Sequence, residues 1–509
     1  MNNKKLLPLL LTLLLSSLAF TILAAEAEAE AVVSTKQDFV LHGTEINDAI
    51  LNDVSMKDED LQDLALQDNP QPATATQNPS SQNTPSQNLL QIYQQAQAND
   101  PAWAAAQKAD QAAQEKIIQG RALLLPTVGL SANANHADSD IKYTGSANVF
   151  RNDGRERFDT YGYTLNASQP IYRPQNNIEY AQSQTQAAVA DVQLTAAQQD
   201  LTMRVSQAYF DVLIAQDKIE LINAQKQAIT QQLNFAKANY KVGVATITDV
   251  NDAQAKLDLL LAQEIAAYNS LEDKKRAVET ITGNSPDTLS PAIRNLKADM
   301  LEPREMTAWV DLAIQNNPEL HAQQKAVELA KLEVDKNHAG HMPTLDAVGS
   351  YNYTNANGGI NGFGNKLDNF SLGLQLQLPL YQGGAIASKE REASLNYLKA
   401  QDDLEQSHRK AVLQARQAWL NLSSSVAQVH AYEQAVISGQ SQVNSTNKGY
   451  KVGIRNTVDV LNAQQQFYTA LHDLHEARYT YLNNILKLKT AAGVVTAHDV
   501  SDINALLRE

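Results

Sequence analysis

The chain contains no cysteine among its 509 residues. That absence rules out a disulfide, a thiolate metal site, a cysteine nucleophile and a lipid-modified cysteine within it. Positive charge is scarce: 41 Lys and Arg stand against 56 Asp and Glu, a formal net charge of −15. Phosphate binding needs clustered cations, so nucleic acid is excluded as a partner. Long apolar runs are also missing after the first few dozen residues. A membrane helix needs about 20 apolar residues, so the rest of the chain either sits in water outside the cytoplasm or crosses a bilayer as strands. No glycine-rich phosphate loop, nucleophile elbow or metalloprotease motif is present, so neither an enzyme nor a cofactor is expected. Two histidine pairs, His338/His341 and His472/His475, have a spacing of three, the latter beside Glu476. Zinc needs three or four converging ligands, and the sequence offers neither pair a clear third, so no metal is expected. Adjacent carboxylates such as Asp402 and Asp403 read as a solvated helix face.

What is present falls into five stretches. Residues 1–25 read as a signal peptide: Lys4 and Lys5, an apolar run from Leu6 to Ala24, then small residues. The run approaches spanning length, so a retained anchor is the alternative. Residues 26–87 hold twelve acidic residues against two lysines and end in a Gln/Asn/Ser/Pro-rich tract. Such a leader buries too little apolar surface to offset chain entropy, so disorder is expected, with one short helix possible around Glu45–Leu66. From residue 88 the chain repeats itself. NDPAWAAAQ (Asn99–Gln107) recurs as NNPELHAQQ (Asn316–Gln324), and LLPTVGLSAN (Leu124–Asn133) as HMPTLDAVGS (His341–Ser350), both offset by 217. TLNASQPIY (Thr164–Tyr172) recurs as GLQLQLPLY (Gly373–Tyr381), offset 209, and YKVGVATITDVNDAQ (Tyr240–Gln254) as YKVGIRNTVDVLNAQ (Tyr450–Gln464), offset 210. The loop between the two Pro-marked segments is thus eight residues longer in the first half. The repeats span 88–297 and 298–493, leaving 494–509 as a tail.

Each repeat reads as a short helix, a strand pair, a very long helix, a tight turn and a second helix. Phe370, Leu372, Leu374, Leu376, Leu378 and Leu380 alternate with Ser371, Gly373, Gln375 and Gln377, one greasy and one polar face at period two. The first-repeat counterpart is Tyr161, Tyr163, Leu165 and Ala167. Partner strands follow Pro126 and Pro343, and Gly/Asn-rich segments such as NANGGINGFGNKLDN read as hairpin tips. Arg173–Asn239 and Gly384–Lys448 are nearly free of breakers. A 60-residue helix is roughly 90 Å long, too long for one compact domain. Leu201, Val205, Ala208, Val212, Ala215, Ile219 and Ile222 keep the 4-3 spacing of a coiled-coil seam, matched by Ala411, Ala415, Ala418, Leu422, Ser425, Val429 and Tyr432. The small seam residues let helices approach closely, as a tubular wall needs.

Four strands with a lipid-type face cannot close alone. An open edge in lipid leaves backbone N–H and C=O groups unpaired, and bacterial barrels begin at about eight strands. Two chains supply eight, whose interior side chains fill; a passage calls for at least three chains. The expected fold is therefore an α+β membrane protein with an internal duplication. Its four strands per chain enter a shared barrel, and long antiparallel helices continue it below the membrane, turning back at 242–248 and 452–457. The competing reading is a periplasmic coiled-coil scaffold or adaptor without a barrel, which has no use for the leucine ladder.

The duplicated layout, the LPT and QPIY/LPLYQGG strand flanks and the twin YKVG–DV–AQ turns resemble the TolC family of outer-membrane efflux proteins, over about residues 88–493. The resemblance implies a homotrimer with a twelve-stranded barrel in the outer-membrane lipid and a helical tunnel through the periplasm. It implies two partners, a periplasmic adaptor and an inner-membrane transporter of the RND or ABC type. The implied cargo is drugs, toxic small molecules or secreted proteins. By the same resemblance, Tyr450 and Arg455 match residues that tie the inner helix pair to its neighbours in the closed state, with Thr248 and Asp249 as their partners. An Arg455–Asp249 link would be charge-assisted. Asp459 matches a carboxylate of the narrowing ring. The family pattern has a second carboxylate three residues on, where this chain has Asn462, so a single ring and weaker cation binding are expected, with Asp249 and Asp252 keeping the rim acidic. Val242, Gly243, Val244, Val452, Gly453 and Ile454 match tips where adaptors dock. The plainer account of the polar turn residues is helix capping.

Overall fold

A computed structural model describes residues 87–142, 154–286, 289, 296–359 and 363–507. The segment expected to be a signal peptide and nearly all of the expected acidic leader, with its possible helix at 45–66, lie outside these residues.

Each repeat opens with two short helices rather than the one expected: α1 (Leu89–Asn99) and α2 (Pro101–Ala122), then α5 (Met306–Asn316) and α6 (Pro318–His338). The break falls at the repeated Asn-Asp-Pro and Asn-Asn-Pro. Proline pushes the residue before it out of the helical region, and both Asp100 and Asn317 are extended. Each then caps the second helix: the Asp100 carboxylate accepts from the Trp103 N–H at 3.0 Å, and Asn317 from Leu320 at 3.1 Å. Proline at the first helical position needs no N–H partner.

Strands β1 (Thr127–Ile141) and β2 (Gly154–Tyr172) follow in the first repeat, β3 (Thr344–Ala356) and β4 (Asn365–Gln377) in the second. They form one antiparallel sheet in sequence order, the repeats joining through β2 and β3. Strand β4 departs from expectation at both ends. It begins inside the segment expected as a hairpin tip, and it stops at Gln377, so Leu378 and Leu380 are not in the strand. Pro379 is the reason, since it has no N–H for the ladder. Pro170 lies at the matching irregularity of β2, where the register slips before Tyr172.

Helices α3 (Pro174–Lys241) and α7 (Ala385–Lys451) leave the sheet and run two to three residues past the expected ends. Helices α4 (Ile247–Thr282) and α8 (Thr457–Ala491) return. Near the sheet, α2 packs on α3, α3 on α6 and α6 on α7. Further along, α4 packs on α3, α8 on α7, and α3 meets α8. In the first seam every residue is buried except Ala208, which is partly so, and in the second every residue except Tyr432. Residues 494–509, a tail by sequence, contain helix α9 (Ala497–Leu506), whose Val500 and Ile503 are buried in the core that α1, α3 and α8 share. No helix among the described residues is long and apolar enough to cross a membrane.

Candidate functional site

The sheet carries the first part of the site. Residues opposite one another in an antiparallel pair share a face. The register sets Leu130 against Leu165, Tyr163 against Tyr353, Leu165 against Tyr351, and Tyr351 against Phe370. Leu372 and Leu374 lie opposite Gly349 and Ala347. The greasy faces of all four strands therefore merge into one apolar surface. Its predicted members Tyr161, Tyr163, Leu165, Phe370, Leu372, Leu374 and Leu376 are all exposed, Leu376 to 70 %. Leu378 is exposed too but lies beyond the strand. Towards the hairpin ends Tyr163 stacks on Tyr353 at 5.1 Å and tilts towards Tyr351 at 6.1 Å. Barrels place such aromatic girdles at the lipid–water interface. The opposite face carries hydroxyls and amides: Thr164 donates to Asn352 at 3.1 Å, and Ser350 bonds Ser371 at 2.8 Å. Strands of 13 to 19 residues exceed the roughly 9–11 that a tilted barrel strand needs.

At the strand–helix junction Arg173, just before α3, makes a bidentate pair with Asp346 of β3 (Nε–Oδ1 2.8 Å, Nη2–Oδ2 2.6 Å). Asp346 is buried. The pair fastens the first repeat's junction to the second repeat's strand, and no local sequence spacing announces it.

The far ends of the long helices carry the second part. Both turns have the same construction. Gly243 and Gly453 stand at φ +77° and +79°, where a side chain would be strained. Their N–H groups bond Tyr240 and Tyr450, and those of Val244 and Ile454 bond Asn239 and Gly449, the paired closure of a Schellman motif. A capping box then starts the return helix: Thr246 with Asp249, and Asn456 with Asp459. This leaves Val242, Val244, Val452 and Ile454 in solvent, the last at 79 %.

Both turn aspartates are thus caps, as the plainer account has it. Burial works to raise the Asp249 carboxyl. Bonds from the Thr246 hydroxyl and N–H and from the Thr457 hydroxyl outweigh it and hold the group below the usual aspartate range. Within one chain Arg455 does not meet Asp249. Its guanidinium, in the turn before α8, lies 3.9 Å from Asp459 in that helix's first turn, while Asp249 is engaged in its cap. Thr248 and Asn462 are exposed and Asp252 is half-buried. Tyr450 accepts a bond from Thr457 at 3.2 Å and packs edge-on against Phe235 of α3 at 5.7 Å. Leu461 inserts into the apolar cluster of α3 and α4, and Lys256 of α4 donates to Gln465 of α8 at 3.0 Å. Phe235, Thr457 and Leu461 were not among the expected gate residues. For Thr457 a signal exists: aligning the two turns sets it against Ile247, one of few positions where the repeats differ in polarity.

A sheet with a lipid-type face, a polar reverse face and two edges unpaired among the described residues, mounted on helices roughly 100 Å long, is one segment of a channel wall. The chain belongs to the outer membrane efflux protein family, whose description matches residues 92–284 and 309–494, once per repeat. It is 36 % identical to outer membrane protein TolC of Vibrio cholerae over 83 % of this chain and 94 % of that one. It is 33 % identical to the alkaline protease secretion protein AprF of Pseudomonas aeruginosa over 82 % and 86 % of the two chains. Among solved structures, the Campylobacter jejuni CmeC outer membrane channel superposes with a TM-score of 0.70 at 18 % identity, covering 82 % of this chain and 89 % of that one. The outer membrane protein VceC of Vibrio cholerae gives 0.68 at 20 %, covering 80 % and 96 %.

Proposed function

We propose that this chain is the outer-membrane exit duct of an efflux or type I secretion machine, passively conducting its cargo across the periplasm and outer membrane. The observation that carries the reading is the apolar face running unbroken across four strands whose outer edges find no partner among the described residues. Three copies, joining β4 of each to β1 of the next, supply twelve strands and leave no edge in lipid. The helices of the three copies then form the tunnel. Relatives named for protease secretion and for efflux support both cargo classes.

The tunnel's far end serves two purposes in this reading. Exposed Val242, Gly243, Val244, Val452, Gly453 and Ile454 offer apolar side chains and bare backbone to the tips of a periplasmic adaptor, which links the duct to an inner-membrane transporter. Arg455, free of Asp249 within its own chain, reaches Asp249 and Thr248 of the next copy when the end is closed. Asp459 forms the single carboxylate ring, Asn462 leaving the second ring uncharged.

Reconstitution tests the reading. The protein is expected to fractionate with outer membranes, to migrate as a heat-dissociable trimer in detergent and to conduct ions in planar bilayers. Release by osmotic shock as a non-conducting protein would mark a periplasmic scaffold instead. A deletion strain scored for both drug sensitivity and loss of secreted proteins separates the two cargoes.

A further inference from the structure

The histidine pair for which the sequence offered no third ligand acquires one in the fold. His338 ends α6 and His341 ends the single 3-10 turn that follows it. Glu390, 52 residues from His338 in the sequence, comes from the first turns of α7 and sets its carboxylate between the two rings. His338 Nδ1 lies 3.1 Å from Glu390 Oε1, and His341 Nε2 lies 3.7 Å from Glu390 Oε2. The two imidazoles therefore address different oxygens of one carboxylate. The ring centroids are 6.3 Å apart at 64°.

We propose that His338, His341 and Glu390 form a binding site for a borderline divalent transition-metal ion such as Zn²⁺, where α6 and α7 meet the sheet. Two imidazoles and a carboxylate are a zinc-type donor set, and imidazole disfavours Mg²⁺ and Ca²⁺. Tetrahedral bonds of about 2.0–2.1 Å place neighbouring ligand atoms roughly 3.3–3.4 Å apart. The two nitrogen–oxygen separations, each to a different carboxylate oxygen, bracket that value, whereas the two imidazoles stand wider apart, their centroids at 6.3 Å. The rings must swing closer to share one ion, and both side chains are exposed enough to do so. Solvent supplies the remaining coordination position. Because the ligands come from two elements, the ion would pin the end of α6 to the start of α7.

Among the described residues one other cluster competes. His472, Asp473 and Glu476 bring ligand atoms within 4.8 Å of one another, but with a single imidazole and all on one stretch of α8. His475 points away from it, bonding Asp217 of α3 at 2.9 Å. Binding there would pin nothing together, which makes it a natural control.

The test titrates ZnCl₂ into untagged full-length protein in detergent by calorimetry, with Co²⁺ absorption as the spectroscopic readout. Loss of an outer-sphere partner alone costs about 10–100-fold in metal affinity. His341→Ala and Glu390→Gln are therefore each expected to weaken binding more than about tenfold and to abolish the cobalt bands, with unchanged migration of the oligomer. His338→Gln serves if either variant fails to assemble. His472→Ala is expected to bind like the parent, and excess MgCl₂ not to compete. The proposal is overturned if the parent protein does not bind Zn²⁺, if the first two variants bind as it does, or if His472→Ala removes the binding.

Discussion

Asp100 shows what one residue of the repeated motif does. It caps α2, and Arg204 of α3 bonds the same carboxylate at 2.8 Å and, at its limit, 3.4 Å. Burial works to raise this carboxyl, but the Arg204 bond and the Trp103 N–H prevail and hold it below the usual range, nominally 3.8. A folded-state pKa below the unfolded one gives stability that is complete above the unfolded value and lost as pH falls through the folded one. The contribution should therefore be complete from neutral pH to about 4 and decline progressively as pH falls through the lowered value. Asp100→Ala removes a cap worth about 0.5–2 kcal/mol and leaves the part-buried Arg204 guanidinium with Asp200 alone, so the heat-dissociation midpoint should fall at pH 7. Asp100→Asn retains the cap and should lose less. At pH 3 both differences should shrink, which melting curves at the two pH values would check. The capping role has a local signal, Asp before Pro at a helix start, although a single helix was expected across that break. The Arg204 partner was not, since 104 residues separate them and only the packing of α2 on α3 joins them.

Elements whose periodicity repeats were legible almost residue by residue. The 4-3 seam of α3 and the alternation of β4 are encoded within single stretches of chain, so the seam residues turn inward and Phe370, Leu372, Leu374 and Leu376 share one face. What failed lay at the ends. Leu378 continues the alternation perfectly, yet the missing N–H of Pro379 stops the ladder before it, and periodicity does not register backbone donors. The double helix α1–α2 escaped for the converse reason: its apolar pattern continues across a break that one proline imposes. The two faces of β4 give a contrast that tests the membrane assignment. Leu374→Arg places a charge on the apolar face, costing about 2–4 kcal/mol near the bilayer midplane. Trimer yield in outer-membrane fractions should collapse. Gln375→Lys, one residue on but facing the polar side, should insert normally and alter ion selectivity instead. Equal yields for the two variants would remove the lipid from this account. A third substitution tests the junction. Arg173→Met leaves the Asp346 carboxylate buried without its bidentate partner, a loss that costs several kcal/mol where burial is complete and less here because the arginine is part-exposed. The trimer should assemble but dissociate at a lower temperature.

On the scale of the whole molecule, the proposed gate depends on duplication with divergence. Two identical repeats would give helix pairs bound alike to their surroundings, with nothing to distinguish a moving pair from a fixed one. Here the turns share their Schellman glycines and capping boxes but differ at Ala245/Arg455, Ile247/Thr457 and Thr248/Val458. The polar member of the first two pairs lies in the second repeat. Thr457 reaches across to Asp249 as well as to Tyr450 of its own repeat, and Tyr450 leans across on Phe235. The duplication was plain in the sequence, whereas these cross-repeat contacts depend on how α8 settles against α3 and α4, which no spacing encodes. They hold the α7–α8 end against the α3–α4 end within one chain, independently of any contact between copies. If they help to keep the passage closed, weakening them should open it even with Arg455 intact. Thr457→Val removes the hydroxyl at nearly constant volume, and Tyr450→Ala removes the aromatic pair. Each should raise single-channel conductance in planar bilayers, and together with Arg455→Ser the increase should exceed that of any single change, since the links within and between copies restrain the same helices. Conductance that responds to Arg455→Ser alone, unmoved by Thr457→Val or Tyr450→Ala, would confine the restraint to the boundaries between copies and reduce the contacts inside the chain to packing.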